Sequence, residues 1–450
     1  MSASLWYRAR ALFAAVYLVS SAAVAQTDAD TLPADEIRTM LSIDKLSAAD
    51  RRTLSELQLS KLVRHAREFS PLLREARYAV GAAEQDISAA KGARLPQVSV
   101  STSSSVRGGA ATTSSDGRPY LGLTATVPVY DWGRIDAQIR GREATREATS
   151  ARLTQQANQI ATEAVNNCLE YTKQRALLAA AGNYRQNVER LVDMLTKISD
   201  ADPGRRGELV QSRSRLLQAM QQRENIQSRV REFRVRLDRL LGPDRTGLCD
   251  GVGPSLLARP DLEQLRSGVN MHPQVRALQS EYDAALRVID QISASRKPQV
   301  QASATYGPAL PGVSDQYMQS FTLGVSVPLY DGNILKSNEK AAVERASAAA
   351  ERVEQASRQV DSDYRERYET STSNLRRANE YTSLIEVNDR VRKDFFVQWS
   401  ALGRRTLYEL LAIEQEQFTL QQGYFTSLFD GMIGVATILG NAGLLVSAVD

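Results

Sequence analysis

Four short segments of the chain alternate apolar and polar residues with a period of two, at about 97–107, 119–128, 299–308 and 319–328. This period places successive side chains on opposite faces of a β-strand. The polar positions hold small side chains such as Thr124 and Thr126 instead of Lys and Glu. The pattern predicts two β-hairpins, which line water and lipid in a membrane barrel or pack on an ordinary soluble core.

Long stretches without proline follow each predicted hairpin. Residues 132–200 contain no proline and almost no glycine. At about 1.5 Å per residue, they predict a continuous helix of about 100 Å. A second long helix is predicted to begin near Asn333. The segments at about 200–207 and 399–405 contain glycine and are predicted to reverse the chain as helix tips.

Apolar residues flank the first of these tips at alternating spacings of four and three. One series precedes the tip and the other follows it: Tyr184, Val188, Leu191, Leu195 and Ile198, then Ile226, Val230, Phe233, Leu237 and Leu240. Such spacings are typical of coiled-coil seams. We therefore predict a hairpin of helices at one end of the unit and a hairpin of strands at the other.

The two halves of the chain repeat one another. Three short sequences of the first half recur about 200 residues later: Ser70-Pro71 as His272-Pro273, Pro96-Gln97-Val98 as Pro298-Gln299-Val300, and Pro128-Val129-Tyr130-Asp131 as Pro328-Leu329-Tyr330-Asp331. We expect two copies of one structural unit at 59–255 and 256–440, followed by a tail at 441–450.

The N-terminus has the features of a secretory signal peptide. Arg8 and Arg10 precede the apolar run 11–19, and the small residues Ala23-Val24-Ala25 follow it. We predict that residues 1–25 are removed on export and that 26–58 form an N-terminal extension. The apolar run falls short of the roughly 20 residues that span a bilayer.

Each hairpin is followed by the sequence Pro-[Val/Leu]-Tyr-Asp. Pro128 and Pro328 lack the backbone N–H that a strand donates, so we expect strand pairing to end there. Asp131 and Asp331 follow at the position where a helix needs an N-terminal capping residue. These four residues are predicted to form strand-to-helix junctions.

The composition and the motifs of the sequence bear on which partners, cofactors and reactions we expect. Lys and Arg together number 56 against 52 Asp and Glu, so the chain has no strong field for nucleic acid, and we expect none as a partner. Two His and two Cys are too few for a conventional zinc cluster, and we expect no metal and no cofactor. The sequence contains no phosphate-binding loop, HExxH or GxSxG motif, so we expect no enzyme.

The two cysteines are predicted to lie at similar depth along the first pair of helices. Cys168 stands about 34 residues before the first tip, and the helix returning from Glu208 reaches the same height near Gly242, shortly before Cys249. An exported protein enters an oxidising compartment that permits disulfides. We predict a Cys168–Cys249 disulfide, and two unrelated buried thiols are the alternative.

The duplicated halves, the junctions and the second tip together resemble the TolC family of outer-membrane channels over about 60–440. The second tip contributes the sequence from Leu402 to Leu411. The resemblance implies a homotrimer in the outer membrane of a Gram-negative bacterium. Three chains would share one 12-stranded β-barrel, continuous with a periplasmic α-helical tunnel, because four strands cannot close a barrel and open edges are not tolerated in lipid. The expected fold class is mainly α with a membrane β part.

The resemblance also assigns roles at the tips. In that family, helix hairpins close the periplasmic end of the tunnel. This implies a periplasmic gate in which Arg405 is tied to Glu208 and Glu409 belongs to an acidic ring. The second position of that ring falls on Ala412, and Glu414 is the nearby substitute. The residues expected to dock an adaptor are Gly204, Gly207, Leu402, Gly403 and Arg404.

These implications define the expected function. The chain is predicted to be the passive exit duct of a tripartite exporter, opened by a periplasmic adaptor (membrane fusion) protein and an inner-membrane ABC transporter or other pump. The tip sequence Gly-Arg-Arg-Thr-Leu and the lack of a lipid-anchor cysteine favour type I protein secretion, and multidrug or metal efflux is the alternative. A soluble periplasmic coiled-coil adaptor would explain the helices but not the two strand hairpins.

Overall fold

The structure is a computed structural model that describes residues 48–103, 120–250, 254–257, 260–307, 318–400 and 406–447. The predicted signal peptide 1–25 and the extension up to residue 47 lie outside the described residues. So do the predicted tip residues Leu402, Gly403, Arg404 and Arg405.

Within the described residues, the first half of the chain contains four long helices and two strands: α1 Ala48–Phe69, α2 Pro71–Gly92, β1 Gln97–Ser103, β2 Tyr120–Tyr130, α3 Arg134–Ala201 and α4 Arg206–Leu241. The second half contains the following elements: α5 Leu262–Ser267, α6 Pro273–Ser295, β3 Gln299–Gly307, β4 Met318–Ser326, α7 Ile334–Ser400, α8 Leu407–Asn441 and α9 Leu444–Ser447. Short 3-10 turns occur at Pro203–Arg205, Thr246–Cys249, Pro254–Leu257 and Val269–Met271.

The two halves have the same order of elements and closely matched helix lengths. The helix that follows each hairpin has 68 residues in α3 and 67 in α7. The helix after each tip has 36 residues in α4 and 35 in α8. The predicted fold class, a duplicated unit of long helices with β-hairpins, is confirmed. The exact boundaries of the two units stay predictions.

The same local interactions start and stop equivalent helices. Pro71 and Pro273 open α2 and α6, where the missing N–H of proline costs nothing. At the other end, Gln97 Nε2 donates to the Gly92 carbonyl at 3.0 Å, and Gln299 Nε2 donates to the Ala294 carbonyl at 3.0 Å. The helices therefore end before Pro96 and Pro298 with their last carbonyls bonded.

The four strands form one antiparallel sheet in the order β1-β2-β3-β4. The register pairs Val100 with Leu123 and Ala125 with Ala304. On the next strand, Ala304 pairs with Phe321. Even-numbered positions of β1 and β3 pair with odd-numbered positions of β2 and β4, and the reverse, so each face of the sheet carries continuous rows across all four strands.

The described chain divides into two compact units. The first comprises 173–230 with 385–422 and has an apolar core that includes Tyr184, whose ring stacks on Phe418 at 5.1 Å between centroids. The second comprises 46–172, 231–384 and 423–450, and it contains the sheet. Its core includes these buried residues: Leu265, Val269, Val275, Val360, Tyr364 and Ile438.

Close contact between α7 and α8 depends on glycine in the second unit. A Cβ at Gly431 would lie 2.7 Å from Leu375, and one at Gly434 would lie 2.7 Å from the Cβ of Ser371. Glycine therefore fits these positions, whereas a Cβ would force Leu375 or Ser371 to move. None of the helices in the described residues has an apolar stretch that is long enough to cross a membrane.

Candidate functional site

The sheet has two chemically different faces. One face carries the apolar members of the alternating pattern: Val98, Val100, Leu123, Ala125, Val127, Val300, Ala302, Ala304, Tyr306, Phe321, Leu323 and Val325. The opposite face carries mostly small polar residues and glycine, with larger residues such as Gln301 and Met318 among them: Ser99, Ser101, Gly122, Thr124, Thr126, Ser303, Thr305, Ser320, Thr322, Gly324 and Ser326. The predicted alternation therefore runs across every strand.

The apolar face is largely uncovered in the single chain. Phe321 is 78% exposed, Val325 66% and Val100 65%. Isolated exposed apolar residues are common on soluble proteins, but contiguous patches mark contact with a partner or a membrane. On the other face, the hydroxyls of Thr124 and Thr305 lie 3.4 Å apart. Such a face suits contact with water.

Both strand-to-helix junctions use an aspartate and a left-handed turn. Asp131 Oδ2 accepts from the Ile135 N–H at 2.7 Å, and Asp331 Oδ2 accepts from the Leu335 N–H at 2.8 Å. The two residues after each aspartate have positive φ. The values are 58° for Trp132 and 79° for Gly133 after Asp131, and 67° for both Gly332 and Asn333 after Asp331. The aspartates thus satisfy the first amides of α3 and α7.

Pro128 does not end strand pairing, and this part of the prediction is wrong. Pro128 pairs with Gln301, and β2 continues to Tyr130, which pairs with Val300. The register shifts between Pro128 and Tyr130, so a β-bulge carries the ladder past the residue that lacks an N–H. In the second half, β4 ends at Ser326, ahead of Pro328.

The first junction also contacts the second half of the chain. Trp132 Nε1 donates to the Pro298 carbonyl at 2.7 Å, immediately before β3. Lys297 Nζ lies 5.2 Å from the centroid of the Trp132 ring, and the Tyr130 ring meets the same indole edge-on at 4.9 Å. Trp132 thus fixes the start of β3 against the end of β2.

The first tip is tighter than predicted. Helix α3 continues to Ala201 and α4 begins at Arg206, so Gly204 lies in the turn and Gly207 in the first turn of α4. The Gly204 N–H donates to Asp202 Oδ1 at 3.0 Å. The predicted gate residue Glu208 lies nearby, with Oε2 at 3.9 Å from Arg205 Nη1. Its proposed partner Arg405 is outside the described residues.

Glu409 takes part in a capping box at the start of α8. Its Oε2 accepts from the Thr406 N–H at 2.9 Å and from the Thr406 hydroxyl at 3.1 Å. The Thr406 hydroxyl in turn accepts from the Glu409 N–H at 3.3 Å. This reciprocal pattern is the one that Thr-x-x-Glu forms at helix starts. The sequence Thr406-Leu407-Tyr408-Glu409 already has the spacing of this motif.

A buried polar network joins three helices of the first unit, and the sequence analysis did not find it. Glu414 is 8% exposed. Its Oε1 lies 3.2 Å from Arg392 Nη1, and its Oε2 accepts from Asn187 Nδ2 at 2.8 Å. Arg392 Nη2 also donates to Asp389 at 2.7 Å. The network thus ties α3, α7 and α8 together by charge-assisted bonds.

The charges of this network stabilise one another. Burial of the Arg392 guanidinium lowers its pKa, but the charges and hydrogen bonds of Glu414 and Asp389 outweigh burial and raise the pKa of Arg392 above its ordinary value. The hydrogen bond from Lys393, together with bonds from Arg392, lowers the pKa of Asp389. Both groups therefore stay ionised near neutral pH.

Cys168 and Cys249 form a disulfide in the structure, with their Cα atoms 5.1 Å apart. Cys168 lies in α3, and Cys249 ends the 3-10 turn after α4. Both residues are buried. The bond closes a loop of sequence separation 81 that contains the first tip.

A sequence profile described as outer membrane efflux protein matches residues 62–243 and 269–390, more than half of the 450-residue chain. The chain belongs to this family. The expected resemblance to outer-membrane channels of the TolC type is thereby confirmed, and so is the outer-membrane location. A comparison with curated protein sequences gives no match.

Solved structures of outer-membrane proteins share the fold of this chain. The outer-membrane channel OprN is 18% identical, with 86% of this chain and 90% of that chain covered, at a TM-score of 0.74. The outer membrane protein VceC from Vibrio cholerae is 17% identical, with 86% of this chain and 96% of that chain covered, at a TM-score of 0.75. The CmeC outer membrane channel of Campylobacter jejuni is 12% identical, with 86% of this chain and 85% of that chain covered, at a TM-score of 0.73.

Proposed function

We propose that this protein is a passive exit duct of a tripartite exporter and that it works as a homotrimer. The observation that carries the proposal is the sheet, with one uncovered apolar face and one face of small hydroxyl side chains. In a membrane barrel, alternate residues face lipid and lumen, and a water-filled channel has a polar interior. The same sheet on a soluble protein would leave its apolar face in water.

The edges of the sheet support the homotrimer. Within the described residues, β1 and β4 are the edge strands. An unpaired edge in lipid leaves backbone N–H and C=O groups unsatisfied, at several kcal/mol each. Pairing of β1 in one copy with β4 in the next removes both edges. Three copies give the 12-stranded barrel that the resemblance implies.

Extraction and bilayer recording test this proposal. We expect protein from membranes to require detergent, to migrate as a heat-sensitive trimer on native gels, and to conduct ions across a planar bilayer. A heated, dissociated sample of the same preparation is the control. A monomer that stays in solution without detergent and conducts no current would overturn both the trimer and the duct.

We place the periplasmic gate at the helix tips, where Arg405 pairs with Glu208 and Glu409 belongs to an acidic ring. Arg205 lies 3.9 Å from Glu208 and provides a second cation on the same hairpin. Exposed pairs contribute only about 0–1 kcal/mol each, so binding of a partner can release them. Single-channel conductance is expected to rise in Arg405→Ala and to stay unchanged in Arg404→Ala. Equal conductance in both variants would exclude Arg405 from the gate.

The tips also form the proposed docking surface for a periplasmic adaptor, which links the duct to an inner-membrane ABC transporter or other pump. The surface comprises Gly204, Gly207, Leu402, Gly403 and Arg404. A photo-crosslinker at position 206 is expected to trap the adaptor, while one at Ser228, higher on α4, serves as control. Equal trapping at both positions would count against docking at the tip.

Two classes of cargo have equal support. The family description names efflux, which favours the alternative of multidrug or metal efflux. The tip sequence Gly-Arg-Arg-Thr-Leu favours type I protein secretion. A deletion strain distinguishes them, since loss of efflux raises sensitivity to toxic compounds, whereas loss of secretion removes a protein from the culture medium.

A further inference from the structure

The two histidines of the chain occupy opposite kinds of helix end. His65 Nε2 lies 2.8 Å from the carbonyl oxygen of Leu241, the last residue of α4. His272 Nδ1 accepts from the Gln274 N–H at 3.2 Å in the first turn of α6. A carbonyl requires a donor, and an N–H requires an acceptor. His65 therefore carries a proton on Nε2, and His272 has an unprotonated Nδ1.

Protonation affects these two bonds differently. An imidazolium has a hydrogen on both ring nitrogens and no acceptor. His272 therefore cannot cap α6 once it is protonated, and its charge lies at the positive end of the helix dipole. The bond from His65 to the Leu241 carbonyl needs only a hydrogen on Nε2, which the neutral tautomer and the imidazolium both carry. Acid thus removes the bond at His272 and preserves the one at His65.

A small polar cavity gives water access to His272. The cavity has a volume of about 80 Å³ and takes its lining from α3, α6, α7 and α8: Gln155, Asn158, Gln159, His272, Gln274, Asp363, Tyr364 and Asn441. A polar space of this size holds water. The imidazole therefore does not need an opening of the helices to exchange a proton.

The charged and titratable groups that line this cavity besides His272 are Asp363 and Tyr364, both on α7. Burial lowers the pKa of His272, and the charge of Asp363 acts in the opposite direction. Burial raises the pKa of Tyr364 to about 12, so its hydroxyl stays neutral. The lining residues from α3 and α8 are neutral amides. Asp363 is thus the group that faces the imidazolium in acid.

The first half of the chain provides an internal comparison. Ser70 occupies the position equivalent to His272, and its hydroxyl accepts from the Leu73 N–H at 3.4 Å. A serine hydroxyl does not change charge in the physiological pH range. The start of α2 therefore keeps its cap in acid, and only the copy in the second half carries a titrating cap.

We propose that His272 is a proton-responsive site: proton uptake at Nδ1 releases the first turn of α6, while the equivalent turn of α2 stays capped. The released turn contains Val275, which belongs to the same buried core cluster as Leu265 and Val269. Acid thus loosens the segment that leads into α6 in one half of the duplicated fold. The efflux function is not needed for this device.

The direction of the stability change follows from proton linkage. Because the pKa of His272 is held below its ordinary value of 6.5, the unfolded chain takes up this proton first as the pH falls. The stability that the neutral cap contributes is complete above about pH 6.5. It is lost as the pH falls through the lower pKa of the folded protein.

Hydrogen exchange with single-residue fragmentation tests the proposal on the full-length protein in detergent. We compare the Gln274 and Leu73 amides at pH 8 and pH 5 after correction for the intrinsic exchange rate. Loss of a cap changes the equilibrium between the closed and the frayed first turn of a helix about fivefold. Exchange protection of the Gln274 amide is therefore expected to fall by that factor, while protection of the Leu73 amide stays constant. A parallel loss at both amides would indicate general acid loosening and would overturn the proposal.

Two variants distinguish an effect of the His272 imidazole from an effect of other titrating groups. His272→Ser installs the cap of the first half and is expected to abolish the difference between pH 8 and pH 5 at Gln274. His65→Gln removes the other histidine and is expected to retain that difference. If His272→Ser retains it, another group causes the change and the proposal is wrong.

Discussion

At the scale of single residues, the acidic side chains near the second tip already have structural partners. Glu409 closes a capping box with Thr406, and Glu414 lies between Arg392 and Asn187. Glu409 therefore stabilises the start of α8, and Glu414 stabilises the packing of α3, α7 and α8, whatever their roles in a gate. Variants that change charge and hydrogen bonding separately are needed to distinguish these roles.

Glu409 offers such a separation. Glu409→Ala is expected to cost about 1 kcal/mol of stability, because the reciprocal bond to Thr406 is lost. Glu409→Gln keeps the capping pattern and removes the charge. Thermal unfolding measures the cap, and the cation selectivity of single channels measures the acidic ring. If Glu409→Gln keeps the cation selectivity of the parent protein, Glu409 does not belong to the acidic ring.

The network around Glu414 predicts a clear asymmetry between single and double substitutions. Arg392→Met leaves a buried carboxylate without its cation and is expected to cost about 1–3 kcal/mol. Adding Glu414→Gln removes the unpaired charge, so the double variant is expected to regain part of that loss. Denaturant unfolding in detergent measures both. Strictly additive losses would mean that the two side chains do not interact.

At the scale of elements, the long helices are held by close packing and by covalent closure. Gly431 and Gly434 bring α8 against α7 without space for a side chain. The disulfide connects α3 to the segment after α4. A covalent bond therefore holds the helices of the first half together, and close packing at glycine holds those of the second half together.

The close approach at Gly434 can be measured against a glycine in open surroundings. Gly434→Ala places a Cβ 2.7 Å from that of Ser371 and is expected to destabilise by about 1–3 kcal/mol. Gly182 in α3 has no atom within 4 Å of such a Cβ, so Gly182→Ala is expected to stabilise by about 0.5–1 kcal/mol. Thermal unfolding compares the unfolding temperatures of the two variants. Equal shifts in both would contradict the tight contact at Gly434.

The strands and long helices could be predicted because their signals are local. A period of two identifies both faces of each strand, and the absence of proline over 132–200 permits one helix. The aspartates at the junctions also follow from local rules, since the first amides of a helix need acceptors.

The features that could not be predicted depend on which elements lie side by side. The bulge at Pro128 depends on the register of the partner strand β3. The contact of Arg392 with Glu414 joins residues that are separated by 22 positions across the second tip. Neither periodicity nor composition contains this information.

At the scale of the whole molecule, the duplication places one strand from each half at the centre of the sheet. β2 and β3 pair there, and Trp132 fixes their ends together. The apolar and hydroxyl rows therefore run without interruption from one half of the chain to the other. This continuity is what a shared membrane wall requires.

Two neighbouring residues of β4 test this assignment of faces. Phe321→Arg puts a charge on the lipid face and is expected to cost about 2–4 kcal/mol near the bilayer midplane, which lowers the yield of assembled trimer. Thr322→Arg puts the same charge on the lumen face, where it is expected to spare assembly and to reduce cation conductance. Native gels and bilayer recording measure these outcomes. If Thr322→Arg impairs assembly more, the faces are reversed.

The disulfide also determines what a protease would leave behind. A cut at the first tip falls between Cys168 and Cys249, so the two fragments remain joined until a reductant is added. A cut at the second tip has no such tether, because the sequence contains no other cysteine. Nicked protein from the two sites therefore gives one band and two bands, respectively, on a denaturing gel without reductant, which identifies the hairpin that was cut.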